Sequence, residues 1–94
     1  MSESYKTPLT DALFEAILSL QTMEDCSKFF EDICTIKEIQ DIALRLEVAR
    51  LLKQGVTVAA IAQSLGVSTT TVSRVNRCLH YGAGGYDLVL RDKD

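Results

Sequence analysis

Ser68, Thr69, Thr70, Thr71, Ser73, Arg74 and Arg77 fall within ten consecutive positions that contain no carboxylate. Short hydroxyls at a helix start, together with the free N–H groups there, suit phosphate oxygens, while arginine forks suit phosphates or guanine edges. Other chemistries find less support. Ser64, Ser68 and Ser73 have no histidine–acid arrangement that spacing suggests, so no catalytic residue is expected. The single His80 and the cysteines Cys26, Cys34 and Cys78, eight and forty-four residues apart, lack the close pairs that zinc sites favour. No metal and no cofactor is expected.

The elements that must aim these residues are readable on either side of them. In Thr57–Val75, Ala62 is small enough for the close approach of two short helices, and Gly66 can take the left-handed turn between them. Ile61, Leu65, Val67, Val72 and Val75 are spaced to fill the wedge, and Ser68 stands where an N-cap opens the second helix. This order predicts a helix-turn-helix over 57–79, with helices at about 57 to 65 and 69 to 79. The outward face then carries the hydroxyls and guanidiniums, with Lys53 and Arg50 as further phosphate anchors.

Upstream, three start signals precede apolar stretches. Thr7-Pro8 opens a helix bearing Leu9, Leu13, Phe14, Ile17 and Leu18, and Thr22 followed by Glu24 and Asp25 opens a second. Thr35-Ile36-Lys37-Glu38 has capping-box order before a long helix striped by Ile39, Ile42, Ala43, Leu46, Ala49 and Leu52, widened by Val48 and Leu51 and stopped at Gln54-Gly55. Gly82, Gly84 and Gly85 end helical structure after the motif. Tyr86–Leu90 reads equally as a short helix or a strand, and Arg91–Asp94 as a frayed end. The first helix is apolar more broadly than one neighbour covers, which a partner subunit would resolve.

The chain of 94 residues predicts one all-α domain: 1–34 dimerisation helices, 35–54 a long central helix, 57–79 the helix-turn-helix and 82–94 a glycine-rich tail. A net charge of −3 argues against a nucleic-acid partner until it is located: residues 1–44 carry −6, residues 45–80 carry +4 and the last fourteen −1. An acidic scaffold holding a basic working surface is the expectation. The opening Met1-Ser2-Glu3-Ser4-Tyr5-Lys6 lacks signal-peptide order, and three cysteines cannot all pair within one chain, so a cytoplasmic protein with reduced thiols is expected. Cys78, at helical spacing from Val75, is expected to pack inward.

From about Cys34 to Leu79 the sequence resembles the Trp repressor family, with Thr35, Glu38, the helix through Arg45, the Gly55 stop and the Ile61–Arg74 segment in family order. It looks closest to a less characterised bacterial branch, through Arg45-Leu46-Glu47-Val48-Ala49-Arg50-Leu51-Leu52 and Asn76-Arg77-Cys78-Leu79-His80-Tyr81-Gly82 with Gly84-Gly85-Tyr86. The resemblance implies an intertwined, all-helical homodimer whose two reading heads meet half-sites about 34 Å apart on a palindromic operator in double-stranded DNA. It also maps Thr35, Arg45 and Arg74 onto positions that surround tryptophan in the Trp repressor. Val75 stands where the family keeps the glycine against which the indole lies, which disfavours tryptophan. A different small anionic effector fits two guanidiniums better. Thr35 is equally explained as a cap, Arg74 as a phosphate contact, and Arg45 as a partner of Asp41, Glu38 or Glu47, with Asp41 best spaced.

The leading expectation is a sequence-specific, homodimeric DNA-binding regulator, a repressor that needs no corepressor. Its rivals are a helical protein-interaction module whose working face is the acidic half, and a DNA-binding regulator under effector control. No membrane partner is expected.

Overall fold

The computed structural model describes residues 5–91, so Met1–Ser4 and the expected frayed end beyond Arg91 lie outside the described residues. Six helices make up the described chain: α1 (Pro8–Leu18), α2 (Met23–Ile33), α3 (Ile36–Lys53), α4 (Val58–Leu65), α5 (Thr69–Tyr81) and α6 (Gly85–Leu90). No strand occurs among the described residues, and none of these helices is long and apolar enough to cross a membrane. The chain forms two compact units, Met1–Ile39 and Gln40–Asp94.

The first unit is built on its caps. Thr7 Oγ1 accepts from the Thr10 amide at 3.2 Å, and Thr10 Oγ1 accepts from the Thr7 amide at 2.9 Å, with Pro8 at the first helical position. Thr22 Oγ1 accepts from the Asp25 amide at 3.0 Å. Thr35 and Glu38 complete the predicted box before α3: Thr35 Oγ1 accepts from the Glu38 amide at 3.1 Å, and the Thr35 amide donates to Glu38 Oε1 at 2.8 Å. Neither α1 nor α2 buries a side chain, and Leu9 and Leu18 of α1 are each 82% exposed. Leu9 and Leu18 therefore lie open in the single chain, while Leu13, Ile17, Phe29 and Phe30 are half-buried.

The second unit holds the core. Val48 and Ala49 of α3, Ile61 of α4, and Val72 and Val75 of α5 are buried, with Leu51, Leu52, Ala62, Leu65, Val67 and Leu79 packed around them. Between α3 and α4, Gly55 turns the chain with a φ of 89°. Helix α3 is covered unevenly along its length. At about 100° per residue, Ala49 lies about 20° from Ile42 and about 60° from Leu46. Val48 and Ala49 are nevertheless fully buried, with Leu51 and Leu52 packed beside them, while Ile42 and Leu46 remain exposed. The expected stripe is thus covered toward the end of α3 and open nearer its start.

One further expectation needs correction. Cys78 is exposed rather than packed. The inward stripe of α5 runs Val72, Val75, Leu79, and a step of three from Val75 leaves Cys78 about 60° beyond its edge. The tail, ambiguous in sequence, is helical over Gly85–Leu90 and returns to the core through Tyr86 and Leu90. The break before it is steric at Gly82, where an added Cβ would stand 2.5 Å from the Cys78 carbonyl oxygen.

Candidate nucleic-acid interface

The motif's local geometry follows from three residues. Thr57 Oγ1 accepts from the Ala60 amide at 3.2 Å and opens α4, and Ser68 Oγ accepts from the Thr71 amide at 3.1 Å and opens α5. Between them Gly66 adopts φ 67° and ψ 34°, with nothing within 4 Å of a Cβ built upon it. Glycine is therefore favoured there by backbone conformation rather than by space. The Val67 amide returns to the Ala62 carbonyl at 3.1 Å, which closes the end of α4.

With Val72 and Val75 turned into the core, helical phase leaves Thr69, Thr70, Ser73, Arg74 and Arg77 exposed. These five line one shallow open cleft of about 410 Å³ along α5. No acidic side chain lines it. The sequence placed these residues on one face, and they share one. Ser68 and Thr71 are partly committed elsewhere: beyond the cap, their hydroxyl oxygens lie 3.0 Å apart.

A second cleft, about 550 Å³, is lined by Asp41, Leu44 and Arg45 of α3, by Val67 and Ser68, and by Thr71, Arg74, Val75 and Cys78 of α5, with Tyr86 of α6. Arg45 and Arg74 thus meet one cavity, and Arg74 borders both clefts. Val75 is only 2% exposed yet reaches the cavity wall. Thr35 belongs to the first unit, where its hydroxyl is the α3 cap.

Lys53 is held by a contact that sequence spacing did not reveal. Its Nζ lies 2.6 Å from Asp87 Oδ1 on α6. It borders a separate small cleft with Arg50, Gln54 and Leu90. Asp87 and Tyr86 are the two residues of consequence that sequence reasoning missed. They lie in a tail whose period was too short to assign, and the ion pair spans thirty-four positions. Glu47, one of the acids considered for Arg45, is taken by Arg50, whose Nε and Nη2 donate to its two carboxylate oxygens at 2.9 and 2.6 Å. That hydrogen bond holds the Glu47 carboxyl below its ordinary value and raises Arg50.

The Trp repressor protein family model matches residues 9–94. The Bacillus subtilis protein YerC, itself uncharacterised, is 54% identical over 80 residues, covering 85% of this chain and 77% of that protein. Two solved structures are similar throughout: a TrpR-like protein from Eubacterium eligens, with a TM-score of 0.85 at 50% identity over 89% of this chain and 87% of that one, and a candidate Trp repressor from Staphylococcus aureus, with a TM-score of 0.88 at 46% identity over 94% of this chain and 88% of that one. The helix-turn-helix, its acid-free outer face and these likenesses agree, and the chain belongs to the Trp repressor family of DNA-binding transcriptional regulators.

Proposed function

We propose that the protein acts as a homodimeric repressor that reads a palindromic operator with one α5 from each copy. The observation that carries this reading is the division of α5 into a buried valine side and an exposed, acid-free side bearing Thr69, Thr70, Ser73, Arg74 and Arg77. In the major groove, Thr69, Thr70, Ser73 and Arg74 face bases or phosphates, with Ser68 and Thr71 at the helix start beside them. Arg77 and Lys53 bind the sugar-phosphate backbone. The homodimer is supported by the apolar residues left open in the single chain: Leu9 and Leu18 on α1, and Ile42 and Leu46 on α3. A second copy is the simplest cover for them.

Selection of bound duplexes from a random pool tests the reading. The expected result is an inverted repeat with half-sites about one helical turn apart. Affinity that does not fall as salt rises would favour a protein-interaction module instead.

Effector control is a second reading, favoured by the cavity that Arg45 and Arg74 share. Two guanidiniums suit a small anion, whereas the branched side chain of Val75 in the same cavity leaves poor accommodation for a flat indole. Calorimetry against amino acids and small carboxylates decides it: heat with a carboxylate but not with tryptophan supports effector control, and no heat with either leaves the corepressor-free repressor.

A further inference from the structure

Helix α6 has only six residues and is weakly begun. Gly84, its N-cap, has φ 87° and offers no side-chain cap, and the approach runs through Gly82-Ala83-Gly84-Gly85. It is nevertheless fastened to the second unit in two ways. Tyr86 and Leu90 pack against the core cluster, and Asp87 Oδ1 takes Lys53 Nζ at 2.6 Å. Lys53 closes α3, and four residues later Thr57 caps α4, the first helix of the motif. In a helix-turn-helix that first helix crosses the DNA backbone, so a lysine just ahead of it is suited to a phosphate. Asp87 offers Lys53 the same ligand chemistry that a phosphate would: an anionic oxygen at hydrogen-bonding distance.

We infer that α6 is an autoinhibitory latch, in which Asp87 occupies Lys53 in place of a DNA phosphate and must be displaced when the duplex arrives. This rests on the DNA-binding reading above and adds an internal competitor to it. The pair is open to solvent, with side chains 36% and 57% exposed, so an incoming phosphate can reach it. Tyr86, the preceding residue, lines the cavity bordered by Arg45 and Arg74. Movement of α6 therefore alters that cavity and frees the lysine together.

The test compares binding of a random-sequence duplex across a salt series for the wild type and for Asp87→Asn, Asp87→Glu, Lys53→Gln and the double variant Asp87→Asn with Lys53→Gln. Helical circular dichroism confirms that each is folded. Asp87→Asn is expected to bind several-fold tighter at low salt, with a salt slope close to that of the wild type, because Lys53 meets the same phosphate in both complexes once Asp87 has been displaced. Asp87→Glu keeps an acid opposite Lys53 and is expected to stay near the wild type. Adding Lys53→Gln to Asp87→Asn should erase the gain. A wild type that binds duplex while Asp87→Asn binds no tighter overturns the latch alone. A gain that survives in the double variant also overturns it, because the effect would then be a general loss of negative charge. A wild type that binds no duplex at low salt overturns the DNA reading and the latch with it.

Discussion

Ser68 and Thr71 close the N-terminus of α5 upon itself: Ser68 Oγ accepts from the Thr71 amide at 3.1 Å and lies 3.0 Å from Thr71 Oγ1. Two hydroxyls that sequence alone offers to DNA thus also set where α5 begins. Shape and recognition can be separated by substitution. Ser68→Ala is expected to cost about 1 kcal/mol of stability by removing the cap. Ser68→Asp should retain most of the cap and lose duplex affinity through its charge. Thermal melting and gel shift, run on both variants, measure the two effects independently.

Gly66 carries the turn at φ 67° with open space around it. Gly66→Ala is expected to destabilise by about 1 to 2 kcal/mol from left-handed strain, and Gly66→Asn by less, since asparagine tolerates that region. Equal losses in urea denaturation would mean that the turn has rearranged.

Under the proposed function, Arg77 and Arg74 separate by the kind of contact assigned to each. Arg77→Gln is expected to weaken all sequences alike and to lower the salt slope by about one unit, as loss of a phosphate contact does. Arg74→Gln should also change which bases are preferred. Competition between operator and random duplex distinguishes the two outcomes.

Ile61 is fully buried at the centre of the second unit's core. Ile61→Ala is expected to cost about 2 to 5 kcal/mol through lost burial and the cavity left behind, whereas Ile61→Val should cost about 0.5 to 1.5 kcal/mol. Denaturant midpoints at a common protein concentration give the comparison.

The Glu47–Arg50 pair supplies a pH signature. The Arg50 hydrogen bond lowers the Glu47 pKa from the ordinary 4.5 against an opposing desolvation, and the charge of Arg50 adds the least to that lowering. A carboxylate depressed on folding stabilises the folded state above its ordinary pKa, and that contribution fades as pH falls through the depressed value. The Glu47 side-chain resonance should therefore titrate below 4.5 in the wild type and move toward it in Arg50→Gln.

How much of this was legible in sequence follows the range of each interaction. The caps at Thr7, Thr22, Thr35 and Ser68 and the turn at Gly66 are local, each decided within four residues, and the structure has them where the sequence placed them. The exposed hydroxyl and guanidinium face of α5 was legible because Val72 and Val75 fix the phase of the helix. Glu47 was offered to Arg45 although residues two apart on a helix do not face one another, and Arg50, three positions on, takes it. Lys53 and Asp87 meet only because α6 folds back onto the second unit, which no periodicity in Tyr86–Leu90 discloses. The Arg45–Arg74 cavity likewise depends on how α3 and α5 pack.

At Gly82 only glycine avoids a collision with the chain's own backbone. Any other residue would bring its first side-chain carbon to 2.5 Å from an oxygen of the preceding turn. A mutagenised library sorted for well-folded members should therefore return glycine there, through any of its synonymous codons. Its neighbours at Ala83 and Gly85, the latter with nothing near a Cβ, should drift freely, while Gly84 at φ 87° should also favour glycine, leaving two letters to mark where α5 ends and its tether begins.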